Sequence, residues 1–238
     1  MVAKTDTKIC RLMLCGKLSY PAAWELQQKL AARHRQGQGQ DTLILLEHPP
    51  VYTLGRAGSW DNVRVPDSIL AAAGLEVLEV DRGGDITYHG PGQLVGYPVL
   101  NLKHYGRDLH QYSWMLEEVL IRTLGVYHID AFREPGLPGV WTRAGKIAAI
   151  GIGVHNWVSM HGFALNVSPD MKYFSLIHPC GIIDRPVAAM QDFGTVANLA
   201  EVKDTLARQF AAVFGVKLLP AREETGDEFI SAGSSAGN

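Results

Sequence analysis

Apolar residues recur at helical spacing in three segments of this chain, and a residue type that commonly caps helices precedes each segment. The predicted helices run from Ser19 to about Arg35, from Asp108 to about Leu124 and from Asn198 to Phe214. Pro21 lies in the first turn of the first helix, and Gly215 directly follows the third. The sequence therefore predicts three amphipathic helices with defined ends.

Shorter apolar runs bounded by Gly, Pro and Asn predict the strands. These are Thr42–Glu47, Val51–Leu54, Val77–Val80, Leu94–Leu102, Gly139–Thr142, Lys146–Val154 and Trp157–Val167. The last three follow one another through short turns, which is typical of an antiparallel meander. Because the strands alternate with flanking helices, we expect an α+β fold.

Length and composition indicate one folded domain. A chain of 238 residues that is 47% hydrophobic can bury a substantial core, and it contains no internal repeat and no interdomain linker. The carboxyl terminus is acidic and then rich in Gly and Ser, which is typical of disordered segments. We therefore expect a single catalytic domain over residues 1–220 and a disordered polar tail over residues 221–238.

Charge and cysteine content narrow the classes of function. The net charge is −2, and no basic cluster interleaved with aromatic residues suggests nucleic-acid binding. No apolar run approaches the roughly 20 residues that a membrane span needs. The first residues lack the continuous apolar segment of a secretion signal, and three cysteines do not make a disulfide framework. We expect a cytoplasmic protein that binds neither nucleic acid nor membrane.

The segment Arg82–Pro98, RGGDITYHGPGQLVGYP, is the most informative part of the chain. It contains five glycines and two prolines between two apolar runs. Because glycine has no Cβ, the backbone N–H groups near Gly83 and Gly84 can approach a ligand closely. The polar side chains of the segment supply donors and acceptors for a carbonyl or an anion. A tight structural turn is the alternative, but the density of Gly, aromatic and His residues favours a ligand-binding loop.

Cys180 is the candidate nucleophile. It lies between Pro179 and Gly181, a bracket that can expose a side chain on a constrained backbone. Cys10 and Cys15 lie among apolar residues, where a cysteine behaves as a small hydrophobe. An ordinary free thiol is only a few per cent thiolate at neutral pH, so a nucleophilic cysteine needs a cationic or basic neighbour.

Lys146 is the candidate neighbour. It follows Gly145 and opens an apolar strand, a position at which a lysine is commonly a solvated charge. Beside a thiol, its charge would favour the thiolate, and a partly desolvated amine could exchange protons near neutral pH.

Four segments of the chain resemble the lipoyl(octanoyl) transferase family. In order, they are RGGDITYHGPGQL at Arg82–Leu94, GKIAAIG at Gly145–Gly151, HGFALN at His161–Asn166 and HPCGI at His178–Ile182. The resemblance extends from the helix start near Tyr20 to the helix near Phe214. It implies a single domain with a mixed, mostly antiparallel sheet flanked by helices, as in the catalytic domain of lipoate and biotin protein ligases.

The resemblance also implies a two-step acyl transfer. Octanoyl-acyl carrier protein would acylate Cys180, and the ε-amine of a lysine on a lipoyl domain would then take the octanoyl group, as the first step of endogenous protein lipoylation. Lys146 would favour the Cys180 thiolate and shuttle protons. The implied substrate-binding residues are Arg82, Gly83, Gly84, Asp85, Ile86, Thr87, Tyr88, His89, Ala149, Ile150, Gly151, Gly162, Phe163 and Ala164.

The same resemblance bears on partners. The acceptors would be lipoyl domains of 2-oxoacid dehydrogenases and the glycine cleavage H protein, and the enzyme would be a monomer that needs no cofactor and no metal.

Full burial of the roughly six methylenes of an octanoyl tail would contribute about 5 kcal/mol. Small and apolar residues could line such a slot: Ala148, Ala149, Ile150, Gly151, Phe163 and Ala164. Two methylenes change binding by about 1.6 kcal/mol, so we expect moderate chain-length selectivity.

Four alternatives remain open at this point. An ATP-dependent lipoate or biotin ligase on the same fold would not need Cys180. A cysteine hydrolase would use His178 or His161 as its base. A zinc protein would bind the metal through His89, His161, His178 and Cys180, although no short-range pair has a familiar ligand spacing. A non-enzymatic scaffold would only hold lipoyl domains.

Two further histidines have no predicted role in chemistry. We interpret His48 and His110 as surface or capping residues.

Overall fold

The computed structural model describes residues 7–181, 185–194 and 198–221, and the elements below lie within these ranges. The helices are α1 (Tyr20–Arg35), α2 (Asp67–Ala72), α3 (Leu109–Val126) and α4 (Leu199–Phe214). The strands are β1 (Lys8–Lys17), β2 (Thr42–Glu47), β3 (Val51–Leu54), β4 (Val77–Glu79), β5 (Ile86–His89), β6 (Gln93–Val99), β7 (Phe132–Glu134), β8 (Leu137–Thr142), β9 (Gly145–His155), β10 (Val158–Asn166) and β11 (Val216–Pro220).

The strands form a large and a small sheet. The large sheet has the strand order β11-β1-β2-β6-β10-β9-β8-β7, and the small one has the order β4-β3-β5. In the large sheet β1 runs parallel to β11 and β2, and the other neighbours are antiparallel. The predicted α+β fold with a mixed, mostly antiparallel sheet is therefore confirmed.

Helices cover both faces of the large sheet. In β2, the side chains of Leu43 and Leu45 join a core under α3 and α4, whereas Ile44 and Leu46 join a core under α1. Because both faces are buried, the strand is apolar from Leu43 to Leu46 instead of alternating. A third apolar cluster packs around the small sheet and includes Tyr52. The α1 face carries the candidate site.

The predicted helices are confirmed, with differences at their ends. Asp108 caps α3 by accepting hydrogen bonds from the N–H groups of His110 and Gln111, and α3 continues to Val126 instead of ending near Leu124. Asn198 caps α4 through the N–H of Ala200. The side chain of Ser19, by contrast, makes no capping hydrogen bond.

Several short elements were not predicted. Strand β5 lies inside the segment that we predicted as a loop, and it forms because β3 pairs with its backbone. The parallel pairing of β1 with β11 joins two distant parts of the chain, which no local pattern signals. The predicted tail at 221–238 lies outside the described residues except for Ala221.

Candidate active site

Cys180 lies in a strained turn that holds its thiol at the edge of a cavity. The turn spans Pro179–Gly181, and Cys180 itself has φ 58° and ψ 21°, a left-handed conformation unfavourable for a residue with a Cβ. The N–H of His178 donates to the carbonyl of Asn62 at 2.7 Å, and the N–H of Gly181 donates to the carbonyl of His178 at 2.9 Å. These bonds fix the turn, and strain of this kind is often found at functional sites.

The side-chain amine of Lys146 lies beside this thiol. Its Nζ is 3.3 Å from Sγ of Cys180 and 5.5 Å from the ring centre of Trp141. Lys146 is only 8% exposed, so it is not the solvated strand-end charge that its position in the sequence suggested. The structure brings together the two residues that the sequence analysis singled out, 34 positions apart in the chain.

A bulge in β9 orients Lys146 toward Cys180. The pairing register between β8 and β9 shifts between Val140 and Trp141. As a result two consecutive residues, Ile147 and Ala148, both join the core under α3. In a strand with regular alternation, Lys146 and Ala148 would share one face. The bulge places Lys146 on the other face, which is a recurrent use of bulges near active sites.

A short clamp joins the start of β9 to the segment that follows the cysteine turn. The N–H of Lys146 donates to the carbonyl of Pro186, and the N–H of Ala188 donates to the carbonyl of Lys146, both at 2.9 Å. Gly145 permits this approach because it has φ 136° and a Cβ there would lie 2.3 Å from the Pro186 oxygen. The clamp fixes the backbone of Lys146 against this segment.

The glycine-rich segment forms another wall of the cavity, but not with all of its predicted residues. The cavity is lined by Tyr20, Arg82, Gly84, Asp85, Thr87, His89, Tyr97, Ala149, Ile150, Gly151, His161, Gly162, Phe163, Ala164 and Cys180. Because side chains alternate along β5, Ile86 and Tyr88 instead join the apolar cluster of the small sheet. Gly83 is absent from the lining, and its N–H pairs with the carbonyl of Ile152. These three residues do not line this cavity, and substrate binding by the predicted set stays a prediction.

Alternation also corrects the predicted slot. Ala148 does not line the cavity and belongs to the core under α3. Ala149 and Ala164 are paired across β9 and β10, as are Gly151 and Gly162. At the glycine pair the space is taken by other parts of the chain, since a Cβ on Gly151 would lie 3.0 Å from Cδ of Arg82 and a Cβ on Gly162 would lie 2.3 Å from the carbonyl oxygen of Gly96.

Arg82 places a buried positive charge close to the thiol. Its guanidinium donates to the carbonyls of Thr53 at 2.6 Å, Asp85 at 2.7 Å and Gly83 at 3.0 Å. Burial lowers the pKa of Arg82, and the charges of neighbouring groups, Cys180 among them, oppose that shift. A buried guanidinium bound to neutral carbonyls favours negative charge nearby, either a thiolate or an oxyanion.

The sequence analysis missed two lining residues, Tyr20 and Tyr97, and gave His161 a role only in the hydrolase and zinc alternatives. His161 contacts the hydroxyl of Tyr20 through Nδ1 at 3.2 Å and a carboxylate oxygen of Asp81 through Nε2 at 2.7 Å. Tyr97 contacts Nε2 of His48 at 2.7 Å. The HGFALN segment was the only local signal for this group, because the tyrosines begin a helix and lie within an apolar strand.

His48 is buried, so its interpretation as a surface or capping residue was wrong. It is 0% exposed, and its Nδ1 lies 2.6 Å from the carbonyl oxygen of Leu18. Burial lowers the pKa of His48 to about 4. His110 is exposed, and its N–H is bound by the Asp108 cap.

The residues of the zinc alternative do not form a ligand set. Both ring nitrogens of His89 are engaged, Nδ1 with Gln93 at 2.8 Å and Nε2 with Thr53 at 3.3 Å. Across residues 7–181, 185–194 and 198–221, no group of three His, Cys, Asp or Glu side chains could hold a metal ion.

Within the described part of the chain, no helix is both long enough and apolar enough to cross a membrane.

Comparison with known proteins gives a family and a fold. The sequence model of the protein family called lipoyl protein ligase A/B catalytic domain matches residues 19–211 of this chain. A protein of Solibacter usitatus named octanoyltransferase is 49% identical over 211 residues, which cover 89% of this chain and 96% of the relative. An octanoyltransferase of Geobacter metallireducens is 47% identical over 85% of this chain and 92% of its own length.

Two solved structures of low sequence identity have a similar fold. A lipoate-protein ligase A bound with ATP matches with a TM-score of 0.75 at 16% identity, over 93% of this chain and 92% of that chain. A bipartite lipoate protein ligase from Thermoplasma acidophilum matches with a TM-score of 0.69 at 16% identity, over 95% and 91%. At this identity the likeness shows the fold alone.

Proposed function

This chain belongs to the octanoyltransferase family, which has the lipoyl protein ligase A/B catalytic domain, and we propose that it carries the octanoyl group on the thiol of Cys180. It is an enzyme of octanoyl transfer in protein lipoylation. The observation that supports the proposed route is the 3.3 Å separation of the Lys146 amine and the Cys180 thiol. A buried ammonium at this distance favours the thiolate, which is the nucleophilic form.

The first half-reaction acylates the enzyme. The Cys180 thiolate attacks the thioester carbonyl of octanoyl-acyl carrier protein, a new C–S bond forms, and the C–S bond to the carrier breaks. The carrier thiolate leaves with the proton of the Lys146 ammonium, so Lys146 becomes a neutral amine. The donor thioester is already activated, so this step consumes no nucleotide.

The second half-reaction transfers the acyl group to the acceptor. The neutral ε-amine of a lysine on a lipoyl domain attacks the S-octanoyl carbonyl, the C–N bond forms, and the C–S bond to Cys180 breaks. The proton lost by the attacking nitrogen passes to the Lys146 amine. The thiolate and ammonium are thereby restored, and Lys146 has moved one proton in each direction.

The walls of the cavity fit an acyl thioester. The cavity beside Ala149, Phe163 and Ala164 gives the hydrocarbon tail a slot. The buried guanidinium of Arg82 stabilises the negative charge that develops on the thioester oxygen, since a fixed charge in a desolvated site acts strongly on a transition state.

We extend the proposal to the partners. The donor is octanoyl-acyl carrier protein, and the acceptors are lipoyl domains of 2-oxoacid dehydrogenases and the glycine cleavage H protein. The enzyme acts as a monomer in the cytoplasm, through a single catalytic domain over residues 1–220, and uses no cofactor. Sedimentation of the free enzyme at micromolar concentration tests the oligomeric state.

Mass spectrometry of the acylated protein tests the route. Mixing the enzyme with octanoyl-acyl carrier protein in the absence of acceptor should add one octanoyl group, and hydroxylamine should remove it, because thioesters are labile to this nucleophile. Peptide mapping should place the group on Cys180. Addition of a lipoyl domain should then discharge it onto one lysine without ATP.

The other two cysteines provide the matched controls. Cys180→Ser should form no hydroxylamine-labile adduct, whereas Cys10→Ser and Cys15→Ser should acylate normally, because both lie in β1, away from the cavity lining. An adduct on Cys10 or Cys15, or transfer that depends on ATP, would refute the route. Release of free octanoate in the presence of acceptor would indicate a hydrolase instead.

A further inference from the structure

The strand register gives the slot a direction. Lys146 and Cys180 lie at the start of β9, and the pairs Ala149–Ala164 and Gly151–Gly162 follow along the hairpin. The next pair is Ile152–His161. The lining of the cavity that begins at Cys180 includes His161, Tyr20 and Tyr97.

His161 leaves the alternation of β10 at the far end of this lining. By position it should share the face of Phe163 and Leu165, which belong to the core under α3. Its φ of 56° instead turns the imidazole to the α1 face, where it meets Tyr20. The buried amide of Gln27 accepts the N–H of His161 at 2.6 Å and so stabilises the strained backbone.

Hydrogen bonds hold this end of the cavity in place. The Asp81 carboxylate can only accept, so Nε2 of His161 carries the proton and Nδ1 accepts from the hydroxyl of Tyr20. The Leu18 carbonyl orients His48 in the same way, and Nε2 of His48 accepts from the hydroxyl of Tyr97. Each tyrosine hydroxyl therefore donates its proton to an imidazole. Displacing either tyrosine would leave a buried imidazole nitrogen without this hydrogen bond.

We propose that Tyr20, Tyr97 and His161 form an end wall that sets the longest acyl chain the enzyme accepts. The inference rests on the proposed acyl slot and deepens it. A ten-carbon chain carries two more methylenes toward the end wall than the octanoyl chain, so it can enter only by displacing one of these hydrogen-bonded side chains. Burial alone would favour the longer chain by about fifteenfold. The end wall reverses that preference and makes the upper length limit sharp.

Substitution of His161 by glycine tests the proposal. Glycine adopts φ 56° without strain and removes the imidazole, so His161→Gly opens the end wall while keeping the backbone conformation. The measurement is kcat/KM for acylation of Cys180 by hexanoyl, octanoyl, decanoyl and dodecanoyl carrier thioesters, followed by intact mass. The wild type should acylate with the decanoyl group at least tenfold less efficiently than with the octanoyl group. His161→Gly should raise the decanoyl-to-octanoyl ratio at least tenfold.

Asn156→Gly is the matched control. Asn156 is an exposed residue with φ 53° in the turn of the same hairpin, so this substitution relieves a similar strain away from the cavity. It should leave the decanoyl-to-octanoyl ratio unchanged. If His161→Gly does not fold, Tyr97→Leu shortens the end wall from β6 and should raise the ratio in the same direction.

The outcomes separate this inference from the proposed route. Acylation of Cys180 with an unchanged ratio in a folded end-wall variant would overturn the end wall alone. The same ratio change in Asn156→Gly would also overturn it, because the effect would then belong to the hairpin. Absence of any octanoyl adduct on wild-type Cys180 would instead refute the proposed function.

Discussion

At the scale of single residues, the candidate chemistry depends on the close placement of two side chains. The sequence singled out Cys180 from its Pro and Gly neighbours and Lys146 from its position after Gly145. Nothing local to either residue showed that Lys146 would be buried or that its amine would lie 3.3 Å from the thiol. Their types were predictable, whereas their distance was not.

Removal of the Lys146 charge should make Cys180 less reactive. In Lys146→Ala, the pH at which alkylation by iodoacetamide is half-maximal should rise by one unit or more, because the thiolate loses its neighbouring positive charge. Each unit corresponds to about 1.4 kcal/mol. Rates of adduct formation measured from pH 5 to pH 10 give this midpoint.

Lys172→Ala is the control for loss of a surface charge. Lys172 is ion-paired with Asp170 at 2.6 Å on an exposed turn, so its removal should leave the alkylation midpoint where it is in the wild type. A midpoint that does not move in Lys146→Ala would exclude Lys146 from the activation of the thiol.

At the scale of elements, the long periodic segments were predictable and the short, context-dependent ones were not. The helices and the hairpin of β9 and β10 follow from their apolar spacing. The bulge at Ile147 and Ala148 does not, because both residues are apolar and fit either face of a strand. Strand β5 was hidden in a glycine-rich segment, since its pairing with β3 is a long-range contact. These two features determine which side chains face the cavity.

A Cβ at Gly145 should disrupt the clamp between β9 and the segment after the cysteine turn. Gly145→Ala would place a carbon 2.3 Å from the Pro186 oxygen at a φ of 136°, so either this segment or the start of β9 must move, and we expect the Lys146 amine to lose its position beside Cys180. We expect acylation of Cys180 to slow at least tenfold. Stopped-flow mixing with octanoyl-acyl carrier protein measures the rate.

Gly136→Ala separates the clash from the backbone strain. Gly136 has φ 78°, and a Cβ added there would have no heavy atom within 4 Å, so this variant adds strain without a clash. It should lose less than threefold in acylation rate. Equal losses in the two variants would show that the clamp does not set the geometry of the pair.

At the scale of the whole molecule, the fold buries histidines that it cannot protonate easily. Burial lowers the pKa of His48 to about 4, and the pKa values of His89 and His161 are also lowered, mainly by burial. An unfolded histidine takes up a proton near pH 6.5, so below this pH the unfolded chain binds protons that the folded chain cannot. Stability is therefore complete above pH 6.5 and is lost as the pH falls toward 4.

Proton uptake by His48 in the unfolded chain should by itself make the free energy of unfolding about 2 kcal/mol lower at pH 5 than at pH 7.5. Urea unfolding at the two pH values measures the difference, and His48→Gln should reduce it. His110→Gln, at an exposed position, should not alter it. A wild-type protein that is equally stable at both pH values would contradict the expected effect of these buried imidazoles.

The sequence by itself determined the three long helices, the main strands, the α+β class, the family and the identity of the cysteine and the lysine. The elements and the fold class follow from residue type and from periodicity over neighbouring positions, whereas the family follows from the resemblance of four short segments. Only the tertiary structure decided which residues of the glycine-rich segment face the cavity, where Lys146 points, and that Tyr20, Tyr97 and His161 lie together. The reason is physical: a bulge, a left-handed residue in a strand and a buried hydrogen-bond network are held by contacts between segments far apart in the chain.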